Sequence, residues 1–412
     1  MISHATTRIR IKHGNKDYSL KRLRVKSGVS QWKEGIPQPK KRVLKYTLCL
    51  TQQCNLRCKY CYVVKGAPYM PLEIGKKIID FIFHRTPPGE KMIIGFFGGE
   101  PLLEFELMKA LTELIEEHPE HDQHPVEFSL VTNGTIYSHV IADFIEQHDF
   151  GFGISCDGPP ELHNRYRLYI NGKGSGNRVE KNIMQAIQRF PNLMVNAVYR
   201  PDTLQNLPEV VDYFASLGVT QIYLNPDFSA DWSIHEANIL PEIYGLLGER
   251  YVNSYIVGKP LYISLIDSKI SVILRGGYQT EEKCSMGRGE LAFTPNGNIF
   301  PCERLIGAGD GDGHCIGHID EGVVPERMQC STSSTVNVEC LTCGLQEYCT
   351  HWCGCSNYFS SGYYNRVGPF LCASERASII VAHQAIQQLE TRLGSLFSDH
   401  LAGDPAINSA TS

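Results

Sequence analysis

Cys54, Cys58 and Cys61 lie in the run Leu48-Cys49-Leu50-Thr51-Gln52-Gln53-Cys54-Asn55-Leu56-Arg57-Cys58-Lys59-Tyr60-Cys61-Tyr62, a C-x3-C-x2-C spacing with an aromatic residue before the last cysteine. Three thiolates can hold three irons of a cubane iron–sulfur cluster and leave the fourth iron without a protein ligand. An open iron beside a pocket is a place for chemistry, whereas a fully ligated cluster mainly stores or passes electrons. A zinc knuckle is the competing reading. It needs a fourth Cys or His nearby, and none follows Cys61 closely.

A second set of cysteines occupies the C-terminal third. Cys284 is followed by Gly297-Asn-Ile-Phe-Pro-Cys302, then by Cys340-Leu-Thr-Cys343-Gly-Leu-Gln-Glu-Tyr-Cys349-Thr-His-Trp-Cys353, and then by Cys372. The pattern is C…Gx4C, C-x2-C-x5-C-x3-C, C. A zinc ribbon would suit Cys340 to Cys353, but the cysteines outnumber one tetrahedral site. Cys315, Cys330 and Cys355 are spare thiols, and only one residue separates Cys353 from Cys355, which makes it hard for both to serve one cluster. Cys49 and Cys156 fall on or beside strands and read as small buried hydrophobes. Two polar constellations accompany the thiols: Gly98-Gly99-Glu100-Pro101, and Ser155-Cys156-Asp157-Gly158 running on to His163, Arg165 and Arg167. Taken alone they read as a strand–turn–helix start and a turn.

A β/α alternation positions these residues. Strands are expected at Val43–Thr51, Met92–Phe97, Glu127–Thr132, Gly151–Ser155, Leu193–Tyr199 and Gln221–Leu224. Helices are expected at Leu72–His84, Glu104–Glu117, His139–Gln147, Val179–Phe190 and Leu207–Leu217. Six strands alternating with helices imply a parallel sheet, whose ligands gather at the C-terminal strand ends. Each constellation falls at such an end. Beyond them, Leu240–Val257 and Ala377–His400 read as helices, and the small, polar tail 402–412 as disordered. Ahead of them, Thr7–Lys12 and Leu20–Lys26 carry Arg8, Arg10, Lys12, Lys21, Arg22, Arg24 and Lys26 and read as a basic hairpin. It is either a solvated ribbon or a peptide dock.

The 412 residues carry a net charge of −5 and fifteen cysteines. Neither a nucleic-acid partner nor a membrane is indicated, since no run of about 18 apolar residues occurs. No apolar segment opens the chain as a secretory signal would. Cysteine-rich composition without an export signal points to a reducing cytoplasm and to metal ligation instead of disulfides.

The C-x3-C-x2-C run with Gly98-Gly99-Glu100-Pro101 resembles the radical S-adenosylmethionine (radical SAM) enzymes, and the C-terminal cysteines resemble the SPASM module of one branch. The resemblance implies an α/β fold, a partial (βα)6 TIM-like barrel. Its organisation would be a basic extension over 1–42, the barrel over 43–235, a bridging helical segment over 236–283, the SPASM domain over 284–375, and a C-terminal helix and tail over 376–412. It further implies three 4Fe-4S clusters and SAM. Cys54, Cys58 and Cys61 would hold the SAM cluster, Cys340, Cys343, Cys349 and Cys372 the outer auxiliary cluster, and Cys284, Cys302 and Cys353 the inner one. Some relatives have an extra cysteine shortly after the first. Glu290 lies in that neighbourhood here, so the inner set's fourth ligand is Cys315, Cys330 or none. Gly98, Gly99 and Glu100 would hold the methionyl amino group, Tyr60 would pack by adenine, Ser155 and Arg167 would meet carboxylate or ribose, and the Leu224 backbone would meet adenine.

By the same resemblance, reductive cleavage of SAM gives a 5′-deoxyadenosyl radical that takes hydrogen from a substrate, whose radical loses an electron to an auxiliary cluster. An external donor such as a flavodoxin or ferredoxin would supply the first electron. Glu303, after Cys302, stands where sulfatase maturases have an Asp general base; a salt bridge to the Arg304 region or the N-terminal ribbon is its bland role. The expected activity is oxidative crosslinking, thioether or carbon–carbon, of a ribosomally made precursor peptide. Alternatives are peptide excision, formylglycine formation on a sulfatase, or iron–sulfur electron transfer without catalysis. Many such maturases carry a leader-binding module of about 80–90 residues before the barrel. The ~45 residues here are too few for one, so leader recognition is expected from a separate protein or the basic hairpin.

Overall fold

The computed structural model describes the backbone of residues 8–13 and 16–21, and residues 43–284, 286–307, 311–328 and 338–394. Cys330 and the tail therefore lie outside the described residues. Strands β1 (Arg8–His13) and β2 (Lys16–Lys21) pair antiparallel as a ribbon of their own. The second strand thus lies nearer the turn than the charge pattern suggests.

Strands β3 (Val43–Thr51), β4 (Lys91–Gly98), β5 (Val126–Thr132), β6 (Gly151–Ser155), β7 (Met194–Tyr199) and β8 (Gln221–Pro226) lie side by side in chain order, all parallel. Between them run helices α1 (Leu72–Arg85), α2 (Phe105–Glu116), α3 (His139–Gln147), the short α4 (Pro160–His163), α5 (Gly176–Ala186) and α6 (Leu207–Leu217). Local chemistry sets the helix ends. Ser138 caps α3 by accepting from Ile141 N–H, and Gly218, at φ +87°, closes α6 in the left-handed region.

Alternation along the strands divides the sheet into two faces. Tyr46, Leu48, Leu50, Ile94, Leu130, Ile154, Val195 and Ile222 are buried in one cluster with Ile78, Ile82, Leu111, Ile145 and Phe214 of the helices. The intervening residues face the other way and carry the site.

Both edges of the sheet extend beyond the expected six strands. After α7 (Ile234–Ile256), β9 (Tyr262–Ile263) joins β8, and α8 (Ser264–Arg275) follows. At the opposite edge β10 (Glu290–Phe293) pairs in parallel with β3, and the antiparallel β11 (Asn298–Phe300), β12 (Gly317–His318) and β13 (Gly322–Val323) continue outward. The cysteine-rich segment is thus built onto the same sheet.

Two more helices follow, α9 (Gly354–Ser361) and α10 (Pro369–Leu393). The helix expected from Ala377 starts eight residues earlier, with Pro369 in its first turn. It therefore contains Cys372, and the division expected at 375/376 falls inside it. Helix α10 is tied inward by Tyr244 Oη, which hydrogen-bonds both Ser374 Oγ (2.8 Å) and Tyr199 Oη (2.7 Å). No helix of the described residues is long and apolar enough to cross a membrane.

Candidate active site

The cysteine loop after β3 is stitched to the end of β4. Gly99 N–H donates to Thr51 O (2.8 Å) and Glu100 N–H to Gln53 O (2.9 Å). Gly98 has φ +143°, and a Cβ there would stand 2.2 Å from Thr51 O; at Gly99 it would stand 2.0 Å from Gln53 O. The approach these glycines permit is that of the cysteine loop itself.

Glu100 is fully buried. Its carboxylate accepts from Leu102 N–H (3.1 Å), Thr132 Oγ1 (2.7 Å) and Asn133 N–H (2.7 Å), which joins the ends of β4 and β5. Burial pushes this carboxyl above its usual range against those three bonds. A carboxylate offers about four acceptor sites, so capacity for one further donor remains. Asn133 Nδ2 also points at Cys54 Sγ (3.7 Å), which receives Leu56 N–H as well (3.4 Å).

Asp157 is the hub of the opposite wall. Tyr60 Oη donates to it (2.5 Å), Arg167 Nε reaches both its oxygens (3.1 Å each), and Val198 N–H bonds Oδ1 (3.0 Å). The Arg167 guanidinium also lies 5.4 Å from the Tyr60 ring centroid. Burial pushes the Cys58 thiol up to about 11, with Arg167 opposing.

His163 supports this hub from behind. Ser175 Oγ spends its one hydrogen on Arg167 O (2.7 Å), so His163 Nε2 donates to Ser175 Oγ (2.9 Å) and Nδ1 accepts from Asp157 N–H (3.4 Å). Burial lowers its pKa from 6.5 to about 4. Above 6.5 the ring is neutral folded or unfolded. Below it the unfolded chain gains a proton that the folded chain refuses. Stability should therefore fall by about 1.4 kcal/mol per pH unit through that window and level off near pH 4. Urea midpoints against pH check this, and His163→Gln should abolish this histidine's share of the slope.

Cys54, Cys58, Cys61, Tyr60, Gly98, Gly99, Glu100, Ser155 and Arg167 all line one cavity of about 370 Å³ at the C-terminal ends of the parallel strands. Leu224 does not. Its side chain faces the core and its N–H donates to Ser264 Oγ (3.0 Å), while Asn225, Pro226 and Asp227 reach the cavity. Sequence reasoning missed Lys45, Thr47, Ser129, Asn133 and Asn196, which also line it. For Lys45, Thr47, Ser129 and Asn196 the signal was available: polar residues alternating with apolar ones on strands assigned to the sheet. Asn133 lies just past the end of β5.

Glu303 and Arg304 reach the same cavity from the cysteine-rich segment. Thr47 Oγ1 donates to Glu303 Oε2 (3.0 Å), and Lys45 Nζ lies 3.5 Å from Glu303 and 3.9 Å from Glu290. The ion-pair partner of Glu303 is thus Lys45 of β3. Arg304 lies over the Phe228 ring at 4.7 Å. Burial pushes the Glu303 carboxyl up, but Lys45, Arg304 and the Thr47 hydroxyl outweigh it and hold the group below its usual range. Glu290 goes the other way: burial raises it despite Lys45, and Glu303 adds to the rise.

Of the second cysteine system, Cys284, Cys302, Cys353, Cys315 and Cys355 pack around one apolar group with Met286, Phe300 and Leu305. Cys353 Sγ and Cys355 Sγ are 3.6 Å apart, so the thiol set aside in sequence belongs to this group. Cys315 Sγ donates to Gly317 O (3.2 Å). Cys340 and Cys372 each lie within electrostatic reach of the other and of Cys343. Cys349 lies beside the buried Lys269–Glu375 ion pair (2.8 Å). Cys49 and Cys156 are buried, as small hydrophobes are. Among the described residues no three such side chains converge on the site of a single metal ion. A cubane asks for a different arrangement, since each of its ligands binds a separate iron. Three thiols along one cavity, with amide donors turned to Cys54 sulfur, suit it.

The radical SAM superfamily model matches residues 48–214. The chain carries a radical SAM domain. Proteins with this domain bind a 4Fe-4S cluster and SAM. It is 24% identical over 328 residues to a cysteine-type anaerobic sulfatase-maturating enzyme of Clostridium novyi, covering 74% of this chain and 85% of that one. To the radical SAM cyclopropyl synthase TigE of Paramaledivibacter caminithermalis it is 23% identical over 338 residues, 74% of this chain and 66% of that one. Its fold resembles anSMEcpe solved with AdoMet and the Cp18Cys peptide, with a TM-score of 0.70, 20% identity, and coverage of 85% of this chain and 99% of that one. It also resembles Streptococcus suis SuiB bound to precursor peptide SuiA, with a TM-score of 0.54, 17% identity, and coverage of 82% and 77%.

Proposed function

We propose that this radical SAM enzyme modifies a ribosomally made precursor peptide by oxidative side-chain crosslinking, forming a thioether or carbon–carbon bond. One observation carries the reading: a single cavity is lined by Cys54, Cys58 and Cys61 on one side and by Glu303 and Arg304 of the cysteine-rich segment on the other. The peptides named in two solved structures of similar fold support a peptide substrate.

In this reading Cys54, Cys58 and Cys61 hold a 4Fe-4S cluster, and Tyr60, Gly98, Gly99, Glu100, Ser155 and Arg167 surround SAM. Asn225 takes the place expected of Leu224. When bound, cluster and SAM together supply the radical that takes hydrogen from the substrate. Cys340, Cys343, Cys349 and Cys372 hold an outer auxiliary cluster, and Cys284, Cys302 and Cys353 an inner one. Asp157 orients Tyr60 and Arg167, while Lys45 and Arg304 keep Glu303 ionised and ready to accept a proton. The β1–β2 ribbon offers strand edges for a leader peptide, with a separate leader-binding protein as the other route. A flavodoxin or ferredoxin supplies electrons.

Glu303→Gln should leave 5′-deoxyadenosine formation intact and lower modified peptide by roughly 10²-fold or more, as loss of a general base does. Unchanged peptide yield removes Glu303 from the mechanism.

A second reading, formylglycine formation on a sulfatase, is favoured by the relatives of both cysteine and serine type and by the carboxylate at Glu303. Accurate mass with an aldehyde-reactive probe separates the two. A crosslink loses two hydrogens and leaves no aldehyde, whereas formylglycine reacts with the probe.

A further inference from the structure

Glu290 is placed by two strand registers at once. In the parallel β3–β10 ladder it stands beside Lys45. In the antiparallel β10–β11 ladder the outermost bonded pair is Ala292 with Phe300, and carrying that register two residues further sets Glu290 across from Cys302. The side chain is 17% exposed and divides its oxygens: Oε1 lies 3.9 Å from Lys45 Nζ, and Oε2 lies 4.0 Å from Cys284 Sγ. The Cys284 contact is long for a thiol, a weak donor, but Cys302 also hydrogen-bonds this carboxylate, so Glu290 sits between two of the cysteines.

We propose that Glu290 Oε2 is the fourth protein ligand of the inner auxiliary cluster, completing a set with Cys284, Cys302 and Cys353. The assignment rests on the reading that these three cysteines hold a cluster. Carboxylate oxygen is an established ligand type for protein-bound iron. Glu290 also approaches from a strand of its own, on the side of Cys284 and Cys302. Cys355 shares one turn of chain with Cys353, its sulfur only 3.6 Å away, and also hydrogen-bonds Cys302; it is the rival ligand, which the test includes. Cys315 Sγ is engaged with Gly317 O.

The test uses the full chain, reconstituted anaerobically, with Cys54, Cys58 and Cys61 changed to Ala so that only auxiliary clusters report. Iron and sulfide per chain and the EPR spectrum of the reduced protein are compared for this parent and for Glu290→Ala, Glu290→Cys and Cys355→Ala made in it. Glu290→Ala should weaken iron retention at the inner cluster by roughly tenfold or more and change its EPR signal. Glu290→Cys should restore the iron content with a third, distinct signal, which rules out misfolding as the cause. Cys355→Ala should match the parent. An unchanged spectrum and iron content in Glu290→Ala, or the loss appearing in Cys355→Ala instead, overturns the assignment. A parent with iron for one auxiliary cluster alone overturns the underlying reading and the assignment with it.

Discussion

Gly99→Ala should strip most of the iron from the N-terminal cysteine loop and lower SAM cleavage by about 10²-fold, the scale of an ångström-sized misplacement. The added Cβ would stand 2.0 Å from Gln53 O, 2.5 Å from Gln53 C and 3.0 Å from Cys54 Cβ. Two of these are backbone atoms of the cysteine loop, which cannot rotate aside as a side chain can. Relief requires the loop and β4 to part, at the expense of the bonds from Gly99 N–H and Glu100 N–H, and Cys54 moves with them. Overpacking of this kind costs about 1–3 kcal/mol, less than the stability of an ordinary domain, so the chain should fold and fail locally. Gly245→Ala is the control. Its Cβ meets nothing within 4 Å, in the middle of α7, and helix propensity there favours Ala by up to about 1 kcal/mol. Iron content and thermal midpoint, measured together, separate the local defect from global unfolding. Full iron loading in Gly99→Ala would remove close packing as the reason for glycine.

Asp157→Asn should destabilise the protein by about 3–5 kcal/mol, the cost of leaving one member of a buried ion pair uncompensated. Arg167 and Asp157 are 7% and 8% exposed, so water cannot replace the lost charge. The substitution also weakens the acceptor of the short Tyr60 bond, and Tyr60 and Arg167 both line the cavity. SAM affinity should fall alongside stability. Removing both charges, as Asp157→Asn with Arg167→Met, should cost less than the sum of the single changes, since no unpaired charge is then left inside. Urea unfolding of the four proteins in the cycle gives the coupling. Strict additivity would mean that Arg167 finds another partner.

Much of the fold was legible because its elements are regular. Val43–Thr51, His139–Gln147, Gly151–Ser155 and Leu207–Leu217 have in the structure the bounds that hydrophobic pattern and turn residues indicate. The cysteine spacing likewise led to the cavity wall that carries it. Long-range pairing was not legible. Strand β10 has four residues, too few for alternation to register, so nothing in sequence announced its return to the edge of β3. That return brings Glu303 to Thr47 across 256 positions and moves its ion pair from the expected neighbours to Lys45. Asp157 read as a turn residue because its donors, Tyr60, Arg167 and Val198, come from three separate segments. Cys372 was grouped with the cysteine-rich loop, although Pro369 at the preceding turn marks a helix start.

One measurement tests radical SAM chemistry here most directly: 5′-deoxyadenosine formed from SAM by the reduced, reconstituted protein, compared with Cys58→Ala. The native chain should form it steadily and the variant only at background levels. Equal amounts from both, or none from a native chain loaded with iron, would contradict that chemistry.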